Sequence, residues 1–171
     1  CSKDLFISSY KKNITNKYSR QFSHLLRFKN QGILISSKTV NYDNSKLTCR
    51  LFGLEKFSPK RFILDRNLNI KINSHIIQTA KKIKTFIFYN KENEKKKKLL
   101  KKFGVKLIKC KVNSYNMIDL KNVLIKIKKL GINYLLVEGG NKLTASFIHN
   151  NLFNEFYLFK SNFKLGTKGK N

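Results

Sequence analysis

Short apolar runs that alternate with amphipathic stretches constrain the fold of this chain more than any other feature. Bounded by Gly, Pro, Ser or charged residues, such runs are typical of buried strands, and they predict strands at 32–36, 61–65, 85–89, 105–109, 133–138 and 155–160. Apolar residues at helical spacing predict helices at about 16–30, 92–103, 119–130 and 141–150. Strands separated by helices form parallel pairs joined by crossovers. The pattern therefore predicts an α/β fold, a three-layer domain with a mostly parallel central sheet.

Residues 37–57 show little periodicity and form the longest irregular segment of the sequence. Loops of such length in a compact domain are usually functional. Neither an internal repeat nor a long linker divides the chain, so we expect one domain over 1–171. The chain starts without Met and ends in turn residues and charge, which suggests a domain truncated at both ends.

Cysteine usage and hydropathy narrow the class of protein. The three cysteines are an odd number without a CxxC pair, which argues against a disulfide framework and a zinc site and favours a reducing cytoplasm. No apolar run approaches the roughly 20 residues that a bilayer-spanning helix needs. The start carries no signal-peptide pattern. We therefore expect a cytoplasmic protein with no membrane partner.

The formal net charge of +28 invites an interpretation as a nucleic-acid-binding protein. All but five of the 37 basic residues are Lys, however, and they are spread along the whole chain. Base-reading surfaces usually use clustered Arg, whose guanidinium forms bidentate contacts. The densest run, around Lys95–Lys98, lies on a predicted helix as a solvated face. We therefore expect no specific nucleic-acid partner.

One candidate site follows the predicted strand that ends in Glu138. This acid is followed by Gly139, Gly140 and a predicted helix. Glycines let a backbone approach a ligand, and the free N–H groups of a helix N-terminus bind phosphate. The alternative is a tight strand-to-helix turn without a ligand. A GxGxxG pattern is absent, so the motif does not indicate a standard dinucleotide fold.

A second candidate site is the polar segment after the first predicted strand, which carries Thr39, Asp43 and Arg50. Asp43 is one of only nine acids, although a loop Asp often makes nothing more than an Asx-turn. Arg27, near the end of the first predicted helix, either favours the helix dipole or binds phosphate. The three histidines show no metal-binding spacing, so no metal site is expected.

The order of these segments resembles the reductase domain of the bifunctional riboflavin biosynthesis deaminase/reductase, which has a dihydrofolate-reductase-like fold. The segments that carry the resemblance are His24-Leu-Leu-Arg27, Thr39-Val-Asn-Tyr-Asp43-Asn44, Leu47-Thr-Cys-Arg50, Pro59-Lys-Arg61 with Asp65, Asn133 to Gly140 with Leu143, and Leu165-Gly166. They follow the family's order over nearly the whole chain.

The resemblance implies a role for each matching position. It implies cofactor contacts for Thr39, Asp43, Gly139, Gly140, Asn141, Lys142, Leu143, Thr144, Ala145 and Ser146. It implies substrate contacts for Arg27, Leu47, Arg50 and Glu138. Asp43 is also the candidate proton donor, although the resemblance settles no donor.

The implied reaction is NADPH-dependent reduction of the ribosyl group of 5-amino-6-(5-phosphoribosylamino)uracil to the ribityl product. The implied partners are this phosphorylated substrate, a second copy of the chain in a homodimer, and a fused N-terminal zinc deaminase domain whose ligand motifs are absent here. Three alternatives stay open: a pterin or folate reductase of the same fold, a basic nucleic-acid-binding module, and a decayed domain without turnover.

Several positions depart from the family pattern. The family's Ser-x-Asp-Gly entry strand corresponds to Ser2-Lys3-Asp4, with Leu5 in the Gly position. Its Trp-Ile-Thr segment appears as Asn13-Ile14-Thr15, which loses an aromatic wall. Arg66 replaces a Ser expected near the cofactor, and Ser45 replaces a Pro.

Overall fold

A five-stranded parallel sheet with helices on both faces forms the centre of the protein. The structure is a computed structural model that describes residues 1–6, 8–9 and 14–170. In chain order the elements are β1 (Ser8–Ser9), α1 (Lys17–Lys29), β2 (Gly32–Ser36), α2 (Ser37–Asp43), β3 (Lys60–Leu64), α3 (His75–Gln78), β4 (Thr85–Tyr89), α4 (Glu94–Lys102), β5 (Lys106–Lys109), α5 (Leu120–Lys129), β6 (Leu135–Val137), α6 (Asn141–His149) and β7 (Gly169–Lys170). The strand order is β5-β4-β3-β2-β6, and every pair in this sheet is parallel. A separate antiparallel pair joins β1 to β7.

Alternating side chains of the central strands build one apolar core on each face of the sheet. On β4, Ile87 and Tyr89 join the cluster that includes residues of α2, α3 and α4. Phe86 and Phe88 join the opposite cluster, which includes residues of α5 and α6. The central strands are buried on both faces, which is why they are nearly continuous apolar runs in the sequence. The predicted three-layer α/β fold is confirmed.

The ends of α5 show how local chemistry sets the element boundaries. The Asp119 side chain caps the helix by accepting a hydrogen bond from the Asn122 N–H at 3.1 Å, as the sequence predicted. Gly131 follows the helix with φ +77, a left-handed conformation that glycine adopts without steric cost.

The prediction of an irregular segment over 37–57 was wrong in its first part, because 37–43 forms α2. Ser36 caps this helix, and only Ser37 and Val40 on it are buried. Val40 is therefore the one buried apolar residue of this helix, and a single apolar position cannot show a helical period in the sequence. Tertiary bonds hold the helix instead, since the Asn41 amide binds the Asn69 carbonyl oxygen and the Lys71 N–H, at 3.0 and 2.9 Å.

The predicted strand at 155–160 was also wrong, because these residues form no hydrogen-bonded ladder. The aromatic side chains of Tyr157 and Phe159 pack against Phe22 of α1, with ring centroids 5.9 and 5.8 Å from its ring. The backbone here bonds the chain start, where the Cys1 carbonyl oxygen accepts from the Ser161 N–H at 2.8 Å. Packing on a helix thus replaces strand pairing.

Within the residues that the structure describes, no helix is long and apolar enough to cross a membrane.

Candidate active site

The candidate site lies where β2 and β6 end side by side at the carboxyl edge of the sheet. Leu34 of β2 is registered with Val137 of β6, and the next residue, Glu138, still donates its N–H to the Leu34 carbonyl oxygen at 3.0 Å. Helix α2 starts directly after β2, and two glycines separate Glu138 from the start of α6. Open α/β sheets bind ligands in the crevice at this edge.

The Glu138 carboxylate forms a bidentate ion pair with Arg27 of α1. Arg27 Nε donates to Oε1 at 2.7 Å, and Nη2 donates to Oε2 at 2.8 Å. The side chains are 14% and 28% exposed, so the pair is half-buried and reaches the surface at the crevice. Both are predicted substrate-binding residues, and the structure brings them together as one charge-neutral unit. A ligand at this pair would meet the outer lone pairs of the carboxylate.

The two glycines after Glu138 have different surroundings. A Cβ on Gly139 would lie 3.0 Å from the Leu143 Cβ, so this position has no room for a side chain. A Cβ on Gly140 would meet only the Thr39 Oγ1, at 3.6 Å. Gly140 is the N-cap of α6 and makes no side-chain cap, and its φ of −74 is accessible to any residue. A side chain at Gly139 would thus require Leu143 to shift, whereas a Cβ at Gly140 would make an ordinary contact with Thr39.

The remaining predicted cofactor residues on α6 divide between core and surface. Leu143 is 8% exposed and belongs to the apolar cluster under α5 and α6. The Thr144 hydroxyl lies 3.5 Å from the Gly139 carbonyl oxygen, and the Ser146 hydroxyl donates to the Lys142 carbonyl oxygen at 2.8 Å. The exposed members of the predicted set are Asn141, Lys142 and Ala145.

Thr39 and Asp43 lie one turn apart on the same face of α2 rather than on a loop. The Thr39 hydroxyl is 3.0 Å from the Ser36 hydroxyl, and its N–H donates to the Ser36 Oγ at 3.3 Å. Asp43 is exposed at the end of the helix, yet desolvation of its carboxyl raises its pKa. A raised pKa favours the protonated form that a proton donor needs.

Leu47 and Arg50 follow α2 on a segment with unusual backbone conformation. Leu47 and the preceding Asn44 have positive φ, 53 and 46, which costs energy for residues with a Cβ. The Leu47 side chain is 1% exposed and packs in the core, so only its backbone can face a ligand. Arg50 is exposed.

His24 and Thr48, neither of which was predicted to be a site residue, organise this segment. The Arg50 N–H donates to His24 Nδ1 at 3.2 Å, and the Thr48 carbonyl oxygen accepts from Arg27 Nη1 at 3.2 Å. Burial, followed by the charges of Arg27 and Arg50, lowers the pKa of His24, which favours the neutral ring that accepts from Arg50. A backbone carbonyl carries no sequence signal, so Thr48 could not have been found from the sequence.

Two acids in the shared motifs have structural roles. Asp65 is 3% exposed and accepts from the Asn69 and Ile70 N–H groups at 2.9 and 2.7 Å, which orders the turn after β3. Asp4 accepts from the Ser2 hydroxyl at 2.5 Å and from the Gly166 N–H at 2.8 Å, which joins the two ends of the chain. The hydrogen bond from the Ser2 hydroxyl, followed by those from the Gly166 and Leu165 N–H groups, lowers the pKa of Asp4 to about 2.

The expected entry strand at residues 2–4 is a turn in the structure, which is a correction to its predicted conformation. Leu5, at the position where the family has Gly, has φ +67 and is 63% exposed. The Leu5 backbone therefore has a left-handed conformation, which glycine adopts without strain and a residue with a Cβ does not. Of the Asn13-Ile14-Thr15 segment, Asn13 lies outside the described residues.

Among residues 1–6, 8–9 and 14–170, no group of three or more His, Cys, Asp or Glu side chains lies close enough to hold a metal ion.

The chain is similar to proteins of riboflavin biosynthesis. The family model described as the RibD C-terminal domain matches residues 7–171. The riboflavin biosynthesis protein RibD of Aquifex aeolicus is 37% identical over 146 residues, which are 85% of this chain and 39% of that protein. The 2,5-diamino-6-ribosylamino-4(3H)-pyrimidinone 5′-phosphate reductase of the same organism is 26% identical over 147 residues, 85% of this chain and 63% of the relative.

Solved structures share the fold at lower identity. Acinetobacter baumannii RibD superposes with a TM-score of 0.79 at 20% identity, covering 99% of this chain and 46% of that one. The riboflavin biosynthesis reductase Rib7 of Saccharomyces cerevisiae gives a TM-score of 0.76 at 22% identity, covering 99% of this chain and 73% of that one. The chain spans about two fifths of the RibD relatives in length. It belongs to the RibD C-terminal domain family.

Proposed function

We propose that residues 1–171 form one reductase domain that reduces the ribosyl group of 5-amino-6-(5-phosphoribosylamino)uracil with NADPH. The single observation that carries the proposal is the placement of the Arg27–Glu138 pair beside the open N-terminus of α6. Family membership supports the reductase chemistry, since one relative is named as a reductase of a closely similar ribosylaminopyrimidine phosphate. The other proposed features are a cytoplasmic location, a homodimer and a fused deaminase domain.

The residues at the crevice fit a nicotinamide dinucleotide. The first N–H groups of α6 suit its diphosphate, and Gly140, which carries no side chain at this N-terminus and lies beside Thr39, lets the diphosphate approach the backbone. When bound, the cofactor supplies the hydride for the ribosyl carbon. This chain supplies the position of the reacting groups and excludes water.

Arg50 and Arg27 have different proposed roles. The Arg27 guanidinium is held by Glu138 and the Thr48 carbonyl oxygen. No ion pair involves Arg50 in the part of the chain that the structure describes. We therefore assign the substrate phosphate to the exposed Arg50, because a guanidinium can bind a phosphate in a bidentate way. Glu138, with its charge balanced by Arg27, accepts from substrate hydroxyl or amino groups.

Asp43 is the proposed proton donor. Its raised pKa follows from desolvation of the carboxyl, and it lies one turn after Thr39 on the face of α2 that we propose to meet the cofactor. Asp43→Asn should lower turnover and abolish the fall in rate that occurs as the pH rises through the pKa of Asp43, because a proton donor must be protonated to act; cofactor affinity should change far less. An unaltered profile in this variant would exclude Asp43 as the donor.

Titration with the two nicotinamide cofactors tests the proposal. The chain lacks a strand-end acid spaced for a ribose 2′-hydroxyl and is rich in cations, so we expect NADPH to bind more tightly than NADH. Oxidation of NADPH should require a ribosylaminopyrimidine, with a lower KM for the phosphorylated than for the dephosphorylated form, and should not occur with dihydrofolate. Equal affinity for the two cofactors, or turnover of dihydrofolate, would refute the assignment.

A further inference from the structure

We propose that the hairpin Val112–Ile118 forms a platform for the adenine ring of the dinucleotide, with Tyr115 as the stacking residue and Arg66 as a positioning residue. The inference rests on the proposed function and deepens it, because it assigns a second contact region for the same cofactor. Neither residue belongs to the crevice formed by Glu138, Gly140 and Thr39.

The hairpin follows β5 and is internally well braced. Val112 and Ile118 form an antiparallel bridge. The Asn113 N–H donates to the Met117 carbonyl oxygen at 2.8 Å, while the Asn113 Oδ1 accepts from the Tyr115 and Met117 N–H groups at 3.1 and 3.0 Å. The tip nevertheless exposes its large side chains, since Tyr115 is 81% and Met117 52% exposed. An aromatic ring on a braced, exposed tip loses little conformational entropy when it stacks on a ligand.

Arg66 links this hairpin to the centre of the carboxyl edge. It lies two residues after Leu64, which is registered with Ser36, the cap of α2. Its guanidinium donates from Nη1 to the Asn116 carbonyl oxygen and from Nε to the Asn67 Oδ1 at 3.1 Å. Its own carbonyl oxygen accepts from the Asn90 N–H at 3.0 Å, at the end of β4. Arg66 thus reaches across the end of β4 and holds the tip of the hairpin.

The position of this assembly suits the adenosine end of a dinucleotide. From Glu138 on β6 to Arg66 on β3 the sheet spans two strand spacings, or about 10 Å. The hairpin itself follows β5, four strand spacings or about 19 Å from β6. A dinucleotide whose diphosphate binds at α6 meets this assembly if its adenosine runs along the carboxyl edge toward β4 and β5. The exposed Tyr115 ring there offers the π-face that a nucleobase stacks on. The surrounding cations, such as the exposed Lys91, favour an anionic ligand.

Calorimetric titration of Tyr115→Ala with NADPH, NADH and reduced nicotinamide mononucleotide tests the platform. Stacking of one base typically contributes enough for a change of about tenfold in Kd. We expect both dinucleotides to bind about tenfold more weakly, and the mononucleotide, which lacks adenine, to bind as in the unmodified chain. Tyr134→Ala is the matched control, because Tyr134 is 66% exposed at the other end of the sheet. It should change none of the three affinities.

Arg66→Met separates positioning from direct phosphate binding. If Arg66 holds the hairpin, NADPH and NADH should lose affinity by the same factor. In the double variant with Tyr115→Ala, the Arg66 substitution should then cost almost nothing further. A loss confined to NADPH would instead make Arg66 a ligand of the 2′-phosphate and would overturn the positioning role.

Two outcomes distinguish failure of this inference from failure of the proposed function. Tight NADPH binding that Tyr115→Ala leaves unchanged would refute the platform and leave the reductase assignment intact. Failure of the unmodified chain to bind any of the three ligands would refute the proposed function and, with it, the platform.

Discussion

Two arginines at opposite ends of the parallel sheet, Arg61 and Arg27, are each held by several bonds, but the two sets of bonds differ in kind. At the amino end, Arg61 is fully buried and donates to the Thr85 and Thr79 hydroxyls at 3.0 and 2.9 Å and to the Ile76 and Ile83 carbonyl oxygens at 3.1 and 3.0 Å. All four acceptors are neutral, and burial lowers the pKa of Arg61 to about 10. At the carboxyl end, Arg27 pairs with the Glu138 carboxylate and stays partly exposed.

This difference separates a structural site from a binding site. The acceptors around Arg61 are satisfied and closed to solvent, so nothing remains there for a ligand to bind. The Arg27–Glu138 pair keeps carboxylate lone pairs at an open crevice, where a ligand group can compete for them. Both arginines belong to segments shared with the family, and only their surroundings distinguish their roles.

The charge at the carboxyl end is expected to have the largest effect. Glu138→Gln keeps the size of the side chain but removes its charge and places an amide donor against the Arg27 guanidinium. We expect turnover to fall by one to several powers of ten, with NADPH affinity nearly unchanged and the fold retained. Steady-state kinetics and cofactor titration check this result.

Glu94→Gln is the matched control for that variant, since Glu94 is an exposed acid ion-paired with Lys97 on α4. It should leave turnover unchanged. A normal turnover number for Glu138→Gln would mean that the pair only fastens α1 to the sheet.

Removal of the buried arginine should affect stability and not catalysis. Arg61→Met removes four hydrogen bonds of a buried side chain. The Ile83 carbonyl oxygen keeps the Thr85 hydroxyl as a donor at 2.9 Å, but the Ile76 carbonyl oxygen is left with a long 3.5 Å contact to the Thr79 hydroxyl, and an unsatisfied buried group costs about 1–3 kcal/mol. We expect the free energy of unfolding in urea to fall by about 3 kcal/mol, with kcat per folded molecule unchanged.

Arg20→Met provides the comparison for Arg61, because Arg20 is exposed and, within residues 1–6, 8–9 and 14–170, its side chain bonds only the Thr15 carbonyl oxygen, at 2.7 Å. Its loss should change stability by roughly 0.5 kcal/mol or less. If Arg61→Met lost turnover while keeping full stability, the assignment of Arg61 to a purely structural role would be wrong.

Arg50→Ala sharpens the division of roles at the carboxyl end. Loss of a charge-assisted phosphate contact costs about 1.5–3 kcal/mol, so KM for the phosphorylated substrate should rise roughly tenfold or more. NADPH affinity should change far less. The dephosphorylated substrate is the control, and an equal loss with both substrates would show that Arg50 is structural.

The two glycines after Glu138 should respond oppositely. Gly139→Ala places a Cβ 3.0 Å from the Leu143 Cβ, and we expect the free energy of unfolding to fall by about 1 kcal/mol. Gly140→Val meets only Thr39, so it should spare stability and weaken NADPH binding by obstructing the diphosphate. Thermal unfolding and cofactor titration separate these effects. Weakened binding in Gly139→Ala alone would reverse the assignment.

Much of the fold was predictable because the central strands and flanking helices have local sequence signals, namely apolar runs, helical periodicity and capping residues. The run Thr85–Tyr89 is apolar because both faces of β4 are buried, and Asp119 marks the start of α5 through its own capping bond. The failures have an equally local cause. Helix α2 carries too few buried residues to show a period, and the aromatic residues around Tyr157 have a strand-like composition but pack on Phe22 instead.

The candidate site was predictable only as a set of separate residues. The roles implied for Gly140 and Thr39 stay predictions, although the structure places the two side by side. It also shows that Leu47 faces the core and that Leu143 does too. Neither fact can be read from the motifs, because burial depends on the packing of distant elements.

The sequence by itself determined the α/β class, the strand and helix positions of the central sheet and the family, since these follow from apolar periodicity and ordered motifs. Only the tertiary structure decided which charges meet. Arg27 and Glu138 are 111 positions apart, and their pairing depends on β6 lying next to β2 and on α1 packing beside them. The same holds for Arg61, whose four acceptors lie 15 to 24 positions further along the chain, between Ile76 and Thr85. A local window of sequence carries no information on such partners, because a side chain's electrostatic role is set by the neighbours that the fold brings to it.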